Sequence, residues 1–114
     1  MYDQNQSGEI ATARRLIEAA LAAGYLVTVW DGGDEPALRR SGDFTAIYDA
    51  VGNTDEDVLS FWRPVEAVAN SVAVTERVGT ILLVWGNDPD GVELISDHTA
   101  NDAMEALCEA AQRR

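Results

Sequence analysis

The stretch RVGTILLVWG, residues 77–86, decides the fold. It is rich in β-branched and aliphatic residues and becomes apolar on both faces toward its end, the mark of a strand inside a sheet. Working outward, NDPD (87–90) is a turn, and GVELIS (91–96) alternates enough to pair back as a hairpin arm. On the other side, DVLSFWR (57–63) is a further strand. Between the two, PVEAVANSVAVTE (64–76) reads either as a loop with one helical turn or as an extended excursion.

The rest of the chain alternates period. Ile10, Ala13, Ile17, Ala20 and Leu21 share one face of a helix over Ser7–Ala23, with Ser7 as its cap and Gly24 as its stop. YLVTVW (25–30) is a strand, DGGDE (31–35) a turn, and PALRR (36–40) a weaker strand whose Pro36 suits an edge or first position. SGDFTAIYDAVGN (41–53) is a short helix with Phe44, Ile47, Tyr48 and Val51 on its apolar stripe. Ser41 or Asp43 caps it and Gly52 ends it. A last helix spans about Asn101–Gln112, with Ala103, Leu107, Ala110 and Ala111 inward and Thr99 as the expected cap. The order α-β-β-α-β-β-β-α with short links predicts an α+β, two-layer domain: a mostly antiparallel sheet of about five strands with helices on one face. Residues 1–6 are expected to be a flexible tail and residues 7–114 one domain.

The charge balance narrows function. Twenty acids face eight bases, a net charge of −12, and all eight bases are arginine. Without lysine there is no P-loop and no Schiff-base chemistry. Direct nucleic-acid binding is disfavoured because phosphates need a basic footprint, whereas a basic protein partner is favoured. No apolar run reaches the roughly 20 residues of a membrane span, and MYDQNQSGEI has no signal-peptide pattern, so a cytoplasmic protein is expected.

Direction along the chain predicts where the acids go. If the first strand ascends, the turn 31–35, the link 53–57 and the turn 87–90 all fall at one end of the sheet, provided strand 77–86 is antiparallel to 57–63. Asp31, Asp34, Glu35, Asp55, Glu56, Asp57, Asp88 and Asp90 then form one partner-binding rim. Gathered carboxylates repel, so a cation or a basic surface would offset their cost. The rim is read as a mimic of phosphates for a basic protein, such as a nucleic-acid-binding complex; the alternative is a divalent-cation site or a metal-dependent enzyme. Acidic turns also arise simply because Asp and Asn favour turns.

Local motifs add little chemistry. Residues 86–97 approach a calcium loop, but Gly86 offers no ligand at the first position and strands flank it. His98 beside Asp97 suggests a general base, yet the two are sequence neighbours and capping is the plainer role. No specific cofactor, metal ligand set or catalytic residue is assigned. Cys108, the single cysteine, reads as a packing residue. Trp30, Trp62 and Trp85 lie near strand ends and read as completing a small core, an aromatic patch for a partner being the other use.

VWDGGDE, NTDEDVLSFW and VWGNDPDGVELISD together resemble a group of short phage and prophage proteins of unknown function. The likeness covers residues 25–99 through Asp31, Gly32, Asn53, Thr54, Asp55, Asp57, Leu59, Trp85, Gly86, Asn87, Asp88, Ile95, Ser96 and Asp97. It implies no activity. It implies a mobile-element setting, in which an inhibitor of a host or defence protein is a natural role.

Overall fold

The computed structural model describes residues 7–65, 74–86 and 94–113. They form α1 (Ser7–Ala22), β1 (Leu26–Trp30), β2 (Leu38–Ser41), α2 (Phe44–Ala50), β3 (Glu56–Val65), β4 (Val74–Val84), β5 (Ile95–His98) and α3 (Asp102–Gln112). The five strands make one sheet in the order β2-β1-β3-β4-β5, and every neighbouring pair is antiparallel. This is the expected α+β architecture.

Strand alternation gives the sheet two unlike faces. Val27, Val29, Leu59, Phe61, Ile81 and Leu83 are fully buried and join Leu16, Ile17, Ile47, Met104 and Leu107 from the three helices in one core. The intervening residues, Thr28, Trp30, Val58, Ser60, Trp62 and Leu82, lie on the face that no helix covers. Helix ends are closed by local chemistry. The N–H groups of Gly24 and Tyr25 donate to the carbonyls of Leu21 and Ala20, and Gly24 takes φ 86°, a left-handed stop that glycine adopts without a Cβ penalty. Asp43 caps α2 by accepting from Thr45 N at 3.1 Å. The expected cap of α1, Ser7, lies outside the described side chains.

One open reading resolves and two local expectations need correction. The ambiguous stretch 64–76 is strand at both described ends: β3 runs on to Val65 and β4 begins at Val74, with Val65 opposite Val74. Residues 66–73 lie outside the described residues. Extension of the hairpin keeps β4 antiparallel to β3, the condition on which the rim depended. Within the described residues the last strand is Ile95–His98, running two residues past GVELIS because Leu83 pairs with Ile95 and Ile81 with His98 across a bulge; residues 91–93 lie outside the described residues. The cap of α3 is Asn101, not Thr99: Thr99 Oγ1 accepts from Thr80 N at 3.0 Å, so it extends the β4–β5 ladder. Asn101 Oδ1 accepts from Met104 N at 2.8 Å while its Nδ2 donates to Val78 O at 3.0 Å, fastening the helix to the bulge in β4.

Candidate functional site

The register fixes which loops meet. Trp30, the last residue of β1, pairs with Val58, and Glu56, the first of β3, pairs with Val84. The loops after β1, before β3 and after β4 therefore leave the sheet at the same end. Two contacts tie them. The Thr54 hydroxyl lies 3.1 Å from the Asp31 carbonyl and 2.8 Å from that of Glu56. Trp85 N donates to Asp55 O at 2.9 Å.

Among the sequence-derived rim residues, Asp34, Glu35, Asp55 and Glu56 are exposed, and Asp31 is half-buried. Asp31 Oδ1 also accepts from Gly33 N at 3.3 Å, which shapes the turn. Asp31, Asp55 and Glu56 share the lining of an open groove of about 530 Å³ with Trp30, Thr54 and Val58. Asp88 and Asp90 lie outside the described residues, as does most of the calcium-like stretch.

Asp57 is not a rim residue. It is 0% exposed, and its Oδ2 accepts from Trp85 Nε1 at 2.7 Å and from Gly52 N at 2.8 Å. Burial pushes its carboxyl above the ordinary value of 3.8; these two hydrogen bonds pull it back, and the charge of Asp31 adds to the rise. Asp57 braces the rim from behind, joining the α2–β3 link to the end of β4. Its parity with Leu59 and Phe61 along β3 is the signal for an inward residue. Glu9 is a second brace that charge and turn patterns pass over. It is 0% exposed, and both carboxylate oxygens lie 3.0 Å from Gly86 N, linking α1 to the residue after Trp85. It falls on the helical stripe of Ala13, Leu16 and Ala20, which is what could have marked it.

The other candidates settle into structural places. His98 Nδ1 lies 2.9 Å from Thr99 O, and Asp97 Oδ1 accepts from the backbone N of His98, so the carboxylate does not orient the imidazole. Cys108 is buried against the core, and burial raises its thiol pKa, as suits a packing residue. Trp85 is a core residue, whereas Trp30 is 36% exposed and Trp62 half-buried on the open face. Among the described residues, no three of His, Cys, Asp and Glu converge as a metal-ligand set. No described helix is long and apolar enough to cross a membrane. Comparison with protein families, with curated proteins and with solved structures gives no match.

Proposed function

We propose that this is a cytoplasmic protein-binding module that uses its acidic rim to engage a basic surface, with a nucleic-acid-handling complex as the partner class. The observation that carries this reading is the meeting of turn 31–35 with link 53–56 at one sheet end, with Asp34, Glu35, Asp55 and Glu56 facing solvent. Like charges held together raise the local negative potential, which speeds encounter with a cationic surface and disfavours wrong partners. The buried braces, Asp57–Trp85 and Glu9–Gly86, hold the loops without using the exposed carboxylates. Inhibition of a host or defence protein in a mobile-element setting belongs to the same proposal and rests on the motifs of residues 25–99.

The test is capture of partners from a bacterial lysate by the native chain and by the D34N/E35Q/D55N/E56Q variant. The reading expects partners that fall away as salt rises, are lost from the variant, and are displaced by added duplex DNA. Partners that persist in high salt and with the variant would overturn it. Partners lost from the variant but indifferent to DNA would remove phosphate mimicry and leave the acidic interface.

A further inference from the structure

The open face of the sheet carries a groove of about 570 Å³ opposite in character to the rim. Its walls are Trp30, Trp62, Arg39, Arg40 and Arg77, and Thr28 and Ser60 line its floor. The chain has eight arginines and a net charge of −12, so three guanidinium groups around one groove with no carboxylate in its lining are a local reversal of the protein's field. Among the described residues, none of the three has an acidic side chain within ion-pair distance.

The floor adds two hydroxyls. Thr28 is 6% exposed, and its Oγ1 accepts twice, from Trp62 Nε1 at 3.1 Å and from Arg40 N at 3.0 Å. Both lone pairs are thus engaged, and the hydroxyl hydrogen remains to be donated. Ser60 is 4% exposed and lines the same floor, and among the described residues its hydroxyl has no hydrogen-bond partner. Both residues line the groove, so each hydroxyl can donate to an acceptor brought into it. Arg40 sustains this arrangement in a left-handed backbone, φ 41°, unusual for a residue with a Cβ. From there its guanidinium sits 4.1 Å above the Trp62 ring.

We propose that this groove is a binding site for a small organic anion: a flat ring bearing a carboxylate or phosphate. The guanidinium groups and the two hydroxyls take the oxyanion, and the exposed indole of Trp30 stacks on the ring. The volume lies within the range of about 300–1,000 Å³ typical of small-molecule sites. A long polyanion is disfavoured by the overall charge, whereas a compact anion meets the arginines at contact distance, where screening is weak.

The test is titration of the ¹⁵N-labelled full chain, observed at the three indole Nε1–H resonances. Separate arms use adenosine monophosphate, indole-3-acetate and adenosine. Shifts at Trp30 and Trp62 but not Trp85 are expected from one or both anions, and which one responds distinguishes phosphate from carboxylate. R39Q/R77Q should weaken that binding by at least about tenfold, since charge-assisted hydrogen bonds are lost. S60A, nearly isosteric and with folding checked by its melting temperature, should weaken it severalfold; it serves alone if the double variant fails to fold. The proposal is overturned if neither anion moves these resonances at millimolar concentration, if adenosine binds as well as its monophosphate, or if the foldable variants bind undiminished.

Discussion

The two faces of one sheet differ more than the strands that build them. On the covered face, Val27, Val29, Leu59, Phe61, Ile81 and Leu83 pack beneath three helices. On the open face, the neighbours of those residues are Thr28, Ser60, Trp30, Trp62 and Leu82, bordered by Arg39, Arg40 and Arg77. The difference shows where each kind of energy resides. Dispersion and hydrophobic burial hold the covered face, and they leave the open face to carry polar and aromatic groups arranged for other ends.

The comparison breaks first if the two faces respond alike to truncation. Phe61→Ala should cost about 3–5 kcal/mol in urea unfolding, the range for a large buried aromatic. Leu82→Ala, half-buried on the open face, should cost about 2 kcal/mol or less, because its side chain is already partly wet. Equal losses would mean that the open face is covered in solution.

Gly79 sharpens the comparison at the covered face. A Cβ there would lie 2.5 Å from Met104 Cγ and 3.2 Å from Thr99 Cβ. Gly79 sits opposite Phe61, so the missing side chain is the space Met104 fills. Gly79→Ala should destabilise by about 1–3 kcal/mol, the usual cost of overpacking, seen as a lower denaturation midpoint. Asn101→Ala removes the α3 cap and the bond to Val78 O and should cost about 1 kcal/mol, whereas Thr99→Ala should leave the helix cap intact.

Asp57 tests the brace beneath the rim through pH. Its folded pKa lies above the unfolded one, so between the two the folded chain holds a proton that the unfolded chain has released. The resulting stabilisation is present at low pH and is lost as pH rises through the folded pKa. The stability of the native chain relative to Asp57→Asn should therefore decline across that window in chemical denaturation. A constant difference would show that Asp57 does not titrate as a buried group. The smallest effect belongs to the rim itself: Asp34→Asn with Glu35→Gln should raise the melting temperature slightly at low salt, and the gain should vanish as salt screens the repulsion.

The fold was largely legible because period carries the information. Ile81 and Leu83, and Leu59 and Phe61, mark strands by alternation; Ala13, Ile17 and Ala20 mark a helix by spacing. Where period was interrupted, the reading stayed open or slipped. Pro64 and the Ala/Val run after it left the β3–β4 extension open, and the bulge opposite Leu82 and Leu83 carried the end of β5 on to the histidine. Composition marked the acidic turns but treated Asp55, Glu56 and Asp57 as equivalent, although a strand sends its alternate residues to opposite sides.

The sequence by itself determined the class of fold, the excess of negative charge and the loops that bear it, because periodicity, glycine stops and net charge are local or additive properties. Only the tertiary structure decided that Asp57 and Glu9 turn inward as braces, and that Arg39, Arg40 and Arg77 gather around two tryptophans. Those outcomes depend on register between strands distant along the chain, where a shift of one residue moves every side chain to the other face.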